Sequence, residues 1–228
     1  MPLSEHQINI AALLRPLPLF NGLEHDTLAR VAQGTRVIAV RRGHVLFREG
    51  EMPTGFHLLV YGQVKLAIGS SQGAEKVIEI PGQGQVFGEA AMFLDRCYTV
   101  TAQTLEDSLL LHIAKAVILD QLDRDSRFGR RMIVGLALRL DELLGDVESY
   151  SLHSGCQRLI AYLLRDADDD GSMTVTLAVN KGVIASRLNM QQETFSRILH
   201  ELSARGLVVV DGRRIHIPEV GRLRAHEG

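Results

Sequence analysis

The stretch that decides the fold is Lys181-Gly-Val-Ile-Ala-Ser-Arg-Leu-Asn-Met-Gln-Gln-Glu-Thr-Phe-Ser-Arg-Ile-Leu-His200. Its apolar residues have the spacing expected of two short helices that bury a shared seam. These apolar residues are Ile184, Leu188, Met190, Phe195 and Ile198. Ala185 falls where the helices must approach most closely. Asn189 falls at the turn, where the backbone needs a left-handed conformation that Asn tolerates. The pattern favours a helix-turn-helix. The alternative interpretation is an ordinary amphipathic helix pair beside a hairpin.

Polar residues of the second helix share one face. Glu193, Ser196 and Arg197 are spaced i, i+3, i+4, so they project together while the apolar positions face inward. A carboxylate, a hydroxyl and a guanidinium suit the base edges of a DNA major groove. We therefore predict DNA contacts from this helix and from the segment after it, through Gln191, Gln192, Glu193, Thr194, Ser196, Arg197 and Arg213.

The segment after these helices reads as a β-wing. Residues 207–217 form two apolar runs around Asp211-Gly212, which predicts a hairpin with a tight turn. From Lys181 to Arg224 there are eight Lys and Arg residues against four acidic ones, although the whole chain has a net charge of −2. A basic end on an otherwise acidic chain favours double-stranded DNA as a partner, although many solvated faces have a similar charge.

The composition is that of a globular protein. Hydrophobic residues make up 46% of the 228 positions, and the absence of any run of eighteen apolar residues argues against a membrane span. The segment 1–6 lacks the basic and apolar regions of a secretory signal. Two cysteines, Cys97 and Cys156, cannot form a disulfide framework. These features predict a cytoplasmic protein.

Residues 35–113 read as an antiparallel β-roll or barrel. Short apolar runs alternate with glycines at intervals of roughly ten to twelve residues, a pattern typical of hairpin-connected strands. The predicted strands are residues 36–40, 45–47, 56–60, 64–68, 76–80 and 108–113. Upstream, residues 8–19 and 26–34 are predicted to be short helices packed on the roll.

A long helix follows the roll. Ile133, Leu136, Leu140, Leu143 and Val147 advance by three and four residues alternately, which is a heptad seam. A helix packed only within its own chain usually has a wider apolar stripe than this a/d seam, so the pattern favours a coiled-coil homodimer. Residues 150–154 read as a hinge, 155–166 as a helix, 168–172 as an acidic loop and 173–177 as a strand. The predicted domains are 1–122, a β-roll sensory domain; 123–150, the dimerisation helix and hinge; and 151–228, a winged helix-turn-helix domain.

This order of elements resembles the Crp/Fnr superfamily of bacterial transcription regulators over essentially the whole chain. The resemblance is most specific at Gly62-Gln63-Val64-Lys65, at Val86-Phe87-Gly88-Glu89-Ala90-Ala91-Met92-Phe93 and at Glu193-Thr194-Phe195-Ser196-Arg197. It implies an α+β chain with an N-terminal antiparallel roll like the cyclic-nucleotide-binding jelly roll, a long dimerisation helix and a C-terminal winged helix-turn-helix. It also implies RNA polymerase as a partner if the protein is an activator.

The last of these segments resembles the Fnr-type Glu-x-x-Ser-Arg pattern, which in that family reads a TTGAT half-site. The resemblance implies that Glu193 accepts from base amino groups, that Arg197 donates to guanine and that Ser196 contacts base or backbone. Phe87-Gly-Glu-Ala-Ala-Met-Phe-Leu-Asp95 and the Asp-Gly-Arg wing are similar to the Dnr-type subgroup. Members of that subgroup are haem-dependent, nitric-oxide-responsive activators, so the resemblance implies a gas effector held through haem.

Three effector chemistries occur in the superfamily, and the residues suit them unequally. The predicted effector pocket consists of Gly88, Glu89, Tyr98 and Thr99. The Gly-Glu pair suits a cyclic nucleotide's ribose, but the position for the phosphate's guanidinium falls at Tyr98-Thr99, or at Thr99-Val100, with Arg96 nearby. An iron–sulfur cluster of the usual kind needs four thiolates, which two distant cysteines cannot supply.

Haem is therefore the predicted cofactor, by elimination and by the subgroup resemblance. Its axial ligand is left open among His25, His44, His57 and His153, each of which is also compatible with an ordinary structural histidine. Cys156 is interpreted as a packed side chain, and an exposed, redox-active Cys97 is an alternative kind of sensor. An enzyme is disfavoured because the histidines of the roll lack the close clustering of cupin-like metal sites. An architectural DNA binder with a vestigial sensor is a further alternative.

Overall fold

The structure is a computed structural model that describes residues 9–17, 19–20, 22–69, 75–165, 167 and 171–226. The chain divides into two compact units. The first unit contains residues 1–73 and 78–139, and the second contains residues 74–77 and 140–228. The division falls inside the segment 123–150 that the sequence analysis assigns to dimerisation.

Eight strands form two four-stranded sheets. Seven of them belong to the first unit, and β5 has residues in both units. They are β1 (Thr35–Val40), β2 (Val45–Phe47), β3 (Gly55–Tyr61), β4 (Val64–Gly69), β5 (Glu75–Glu79), β6 (Val86–Phe87), β7 (Thr101–Thr104) and β8 (Ser108–Ala114). The strand orders are β1-β8-β3-β6 and β2-β7-β4-β5, and neighbouring strands run antiparallel wherever the register is described. This is the predicted antiparallel roll.

Helices cover one face of the first sheet. They are α1 (Ile10–Leu14), α2 (His25–Gln33), α3 (Glu89–Phe93), α4 (Lys115–Arg124) and the beginning of α5 (Ser126–Leu152). Phe128 and Met132 of α5 are buried in a core that contains Phe56 and Ile113 of the sheet. Burial of this apolar face holds the helices on the roll, at roughly 1.5–3 kcal/mol for each large side chain.

A second core fills the space between the two sheets. Alternate residues of each strand face opposite sides, so His57 and Leu59 of β3 point between the sheets while Phe56 and Leu58 point to the helices. The inter-sheet cluster contains buried side chains from both sheets, namely Phe47, Leu59, Val64, Leu66, Phe87, Tyr98, Ala102 and Leu110. The predicted sensory position therefore lies beside an aromatic core.

The second unit is a small helical domain with a three-stranded sheet. Besides the end of α5 it contains α6 (Gly155–Leu164), β9 (Met173–Thr176), α7 (Lys181–Arg187), α8 (Gln192–Ala204), β10 (Val209–Asp211), β11 (Arg214–Ile217) and α9 (Val220–Arg224). The sheet order is β10-β11-β9, with antiparallel pairs. Helices α7 and α8 with the β10–β11 hairpin form the predicted winged helix-turn-helix.

The structure corrects several local predictions. The hinge does not begin at Tyr150, because α5 continues to Leu152. The strands β6 and β7 and the helices α3, α4 and α9 were not predicted, since they are short or lack a strong apolar period. Predictions for residues 1–8, 18, 70–74, 166, 168–170 and 227–228 lie outside the described residues.

Candidate nucleic-acid interface and sensory site

The first helix of the motif is fixed at its beginning and at its end. The side-chain oxygen of Asn180 caps α7 by accepting a hydrogen bond from the backbone N–H of Val183 at 2.9 Å. Ile184 and Ala185 are fully buried, which agrees with the predicted seam. Asn189 has a φ of +55°, so the predicted left-handed turn is confirmed.

Helix α8 exposes the face that the sequence assigns to DNA. Phe195 and Ile198 are buried, whereas Glu193, Ser196 and Arg197 are exposed. This separation leaves a carboxylate, a hydroxyl and a guanidinium together on the surface. The Arg197 side chain is 64% exposed, and its Nη1 lies 2.9 Å from Glu201 Oε1. An exposed pair of this kind contributes little stability, so a base can replace Glu201 as the partner of Arg197 at small cost.

The other predicted contacts of this helix lie at its first turn. Gln191 precedes α8 in an extended conformation and is exposed, as is Gln192, whereas Thr194 is half-buried. The Gln192 side chain lies close over α7, because a Cβ added to Gly182 would come within 2.8 Å of Gln192 Oε1. Position 182 therefore accepts little more than a glycine while Gln192 keeps this conformation.

The wing differs in detail from the sequence prediction. Asp211 pairs with Arg214, so the two-residue loop is Gly212-Arg213, with Gly212 at a φ of +59°. The guanidinium of Arg213 donates to Leu177 O at 2.9 Å from Nε, and to the next carbonyl from Nη2. Arg213 therefore also holds the wing within its own unit. Arg214, which was not among the predicted contacts, is also exposed, as the outward phase of β11 would indicate.

The predicted effector pocket is filled by an aromatic stack. Tyr98 is 5% exposed and lies parallel to Phe47, with ring centroids 3.7 Å apart. Gly88 has a φ of +84°, and a Cβ there would lie 3.2 Å from Tyr98 Cε1. Burial raises the pKa of Tyr98 to about 12, so the phenol remains protonated. Gly88 and Tyr98 are therefore neighbours, but the Tyr98 ring occupies the interior, and Thr99 is exposed.

The fourth predicted pocket residue, Glu89, is paired with a cation inside the first unit. Glu89 is 2% exposed, and its Oε1 lies 3.4 Å from Arg139 Nη1 of α5. Arg139 also donates to Val86 O at 3.0 Å and forms an ion pair with Glu79. Burial raises the pKa of Glu89, and Arg139 opposes that shift. This role of Arg139 was not predicted from the sequence, although a charged residue between Leu138 and Leu140 was the available signal.

Two histidines are buried in the same inter-sheet core. His57 and His112 are 5% and 6% exposed, and their ring centroids are 5.0 Å apart. His112 Nε2 lies 3.1 Å from Thr54 Oγ1, but the Nδ1 atoms of both rings lack a hydrogen-bond partner among the described residues. Burial, with His112 and Arg36 nearby, lowers the pKa of His57 to about 3. The other predicted ligand candidates, His25, His44 and His153, are exposed.

The predicted dimer seam is exposed in the isolated chain. Apolar side chains along α5 have exposed fractions of 38% to 67%, and they are Ile133, Leu136, Leu140, Leu143 and Val147. A helix that leaves such a stripe uncovered requires another surface to bury it. Val134 and Leu138 are also exposed, so the apolar surface of α5 is wider than the heptad seam.

Comparison with known proteins places these two units in described families. Residues 37–125 match the cyclic nucleotide-binding domain, and residues 157–226 match the Crp-like helix-turn-helix domain. The crystal structure of DNR from Pseudomonas aeruginosa is 31% identical and has a TM-score of 0.51, over 93% of this chain and 95% of that chain. The chain belongs to the Crp/Fnr family of transcription regulators.

Further relatives of this Crp/Fnr regulator match it over nearly its whole length. The CRP-like cAMP-activated global transcriptional regulator of Mycobacterium tuberculosis is 22% identical, over 90% of this chain and 94% of the relative. A structure described as a candidate cyclic nucleotide-binding protein from Ruegeria pomeroyi is 28% identical, with a TM-score of 0.62, over 94% of this chain and 95% of that chain.

Membership of the family establishes a DNA-binding transcription regulator with a cyclic-nucleotide-binding-like roll. The Mycobacterium tuberculosis relative is described as a transcriptional regulator. Within the described part of the chain, no helix has the length and apolarity needed to span a membrane. Cys97 is exposed, with its Sγ 3.4 Å from Met52 Sδ, and Cys156 is half-buried.

Proposed function

We propose that this Crp/Fnr regulator is an effector-gated homodimer that reads a TTGAT-type inverted repeat in the cytoplasm and, as an activator, contacts RNA polymerase. The observation that carries the proposal is the exposed face of α8, which presents Glu193, Ser196 and Arg197 while Phe195 is buried beneath them. Those three groups can read adjacent bases from one helix in a major groove. Arg213 and Arg214 of the wing supply cations for the flanking phosphates.

Replacing Arg197 with alanine tests this assignment. We expect a loss of about 1–3 kcal/mol at the inverted repeat and a relaxed preference for guanine in each half-site, because a guanidinium donates twice to guanine. Arg214→Ala is the matched control. This substitution should weaken binding to all DNA sequences similarly and reduce the salt dependence of the binding constant by about one released ion, as expected for a phosphate contact. Fluorescence anisotropy with matched and substituted duplexes measures both, and unchanged discrimination in Arg197→Ala would contradict the assignment.

The sensory roll supports an effector other than a cyclic nucleotide. A buried cyclic phosphate keeps its charge, and its desolvation costs several kcal/mol unless a cation accompanies it. Tyr98, whose phenol is neutral, stands at the phosphate position, and Glu89 is already paired with Arg139. Arg96 is the basic residue nearest in sequence and is exposed. A cyclic-nucleotide-responsive or effector-independent regulator is the alternative to the proposal.

Haem is the cofactor that we propose, and the residues present match it in donor chemistry. Haem would supply an iron centre that binds a diatomic gas such as nitric oxide. His57 or His112 would hold the iron through an imidazole nitrogen, since each has a buried Nδ1 without a partner among the described residues. The rings of Phe47 and Phe87 lie against the His57 imidazole, which in turn contacts His112. The Phe47–Tyr98 stack occupies the same interior, so a macrocycle enters only if this stack is displaced.

One pair of titrations decides between the effectors. We expect haemin to produce a Soret band that saturates at about one haemin per chain, and cyclic AMP to show no binding at micromolar concentrations by calorimetry. We expect the Soret band to shift in either His57→Ala or His112→Ala, and the variant that shows the shift identifies the ligand. His44→Ala, at an exposed histidine, is the control. Micromolar cyclic AMP binding that Arg96→Ala abolishes would replace the haem proposal with the cyclic-nucleotide alternative.

A further inference from the structure

Four successive carbonyls at the end of α7 accept hydrogen bonds from side chains. Ser186 O accepts from Lys76 Nζ, and Arg187 O accepts from the hydroxyl of Tyr150 at 2.6 Å. The two carbonyls of the turn accept from one residue, Arg158 of α6. The last carbonyls of a helix lack partners within the helix, and here side-chain donors supply them, although Ser186 O also accepts from the backbone N–H of Asn189 at 3.1 Å. All of these residues belong to the second unit.

Arg158 makes the largest contribution to this arrangement. Its Nε donates to Leu188 O at 2.8 Å, and its Nη2 donates to Asn189 O at 3.3 Å. Its Nη1 donates to His153 O, just after α5, at 2.6 Å. A guanidinium is planar and presents its donors in a rigid fork, so three bonds from one group fix three backbone positions relative to each other.

The carbonyls that Arg158 holds determine where the DNA-reading helix begins. Asn189 is left-handed, at a φ of +55°, and α8 starts only three residues later at Gln192. Any change in the turn therefore rotates α8 and moves the Arg197 side chain, which requires correct geometry to donate twice to one base. We infer that Arg158 is a positioning residue for DNA reading, whose guanidinium fixes the helix-turn-helix turn and hence the direction of α8.

The experiment uses the full-length chain and a duplex selected from random sequence by the wild-type protein. The inference rests on the proposed DNA reading but not on the TTGAT sequence. If the selected duplex contains a different sequence, the TTGAT half-site is wrong, but the role of Arg158 can still be tested on that duplex. We expect Arg158→Met to bind the selected duplex about tenfold more weakly and to bind random DNA within about twofold of wild type. Arg158→Lys should lose less affinity than Arg158→Met, because its ammonium can donate to one of the two turn carbonyls but cannot fix both.

Amide hydrogen exchange supplies a second readout. Arg158→Met should accelerate exchange at residues 188–191 selectively, because the turn opens locally while the remaining amides keep their protection. Arg222→Met, an exposed arginine of α9 in the same unit, is the matched control and should change neither measurement. If Arg158→Met does not fold, Arg158→Lys carries the test, with about a threefold loss of selected-site affinity expected.

Two results would overturn the inference. A wild-type ratio of selected to random binding in the folded variant would show that the direction of α8 does not depend on Arg158. An equal loss on both duplexes, with a salt dependence reduced by about one ion, would make Arg158 a phosphate contact.

Discussion

Leu136→Asp combined with Leu140→Asp should convert the regulator into a monomer and weaken binding to the full inverted repeat by a factor on the order of 10²–10⁴. Both side chains lie on the exposed apolar seam of α5, at 38% and 60% exposure. A dimer would bury four unpaired carboxylates at its centre, which costs several kcal/mol for each pair of charges. A monomer then reaches only one half-site at a time and loses the high local concentration of its second reading helix.

Sedimentation and anisotropy on the same samples separate this effect from misfolding. Leu136→Met with Leu140→Met keeps the seam apolar at nearly constant volume, so it should remain dimeric. Leu138→Asp places the same charge about 160° around the helix from both leucines, away from the seam. It should also leave the dimer intact. A dimer that persists in the doubly charged variant, or a wild-type monomer at micromolar concentration, would contradict the coiled-coil assignment.

The DNA-reading motif could be predicted almost completely because its determinants are local. Phe195, Ala185 and Asn189 each follow from a spacing of a few residues, and the structure confirms the burial of the first two and the backbone of the third. Arg213 was harder to interpret, since its partners Leu177 and Ala178 lie far from it in sequence. A guanidinium in a basic wing suggests phosphate, and only the fold shows that two carbonyls also hold it.

The sensory site could be predicted less well because it depends on pairings between distant strands. The sequence placed Tyr98 at a phosphate position, but the direction of its side chain depends on Phe47 of β2, which stacks on it. The partner of Glu89 is likewise fifty residues away, at Arg139 of α5. Local patterns carry no information about such contacts. The strand register His57↔His112, which creates the buried imidazole pair, has the same long-range origin.

That imidazole pair gives the regulator a specific sensitivity to acid. Burial, His112 and Arg36 lower the pKa of His57 from its ordinary 6.5 to about 3, so the folded state disfavours the protonated ring. A histidine with a depressed folded pKa contributes stability that is fully present above 6.5 and is lost as the pH falls from 6.5 towards 3. We expect about 3 kcal/mol of the free energy of unfolding to disappear between pH 7 and pH 4 through this residue alone.

Urea unfolding of wild type and His57→Gln at several pH values measures this contribution. The variant has no titrating ring at this position, so its free energy of unfolding should fall less steeply with acid. Between pH 7 and pH 4, wild type should lose about 3 kcal/mol more of its free energy of unfolding than His57→Gln. Any constant cost of burying the glutamine cancels, because only the slope is compared. His44→Gln, at an exposed histidine of the same unit, should run parallel to wild type. Parallel curves for His57→Gln would mean that the buried ring accepts a proton as readily in the folded state as in the unfolded chain, and the depressed pKa would be wrong.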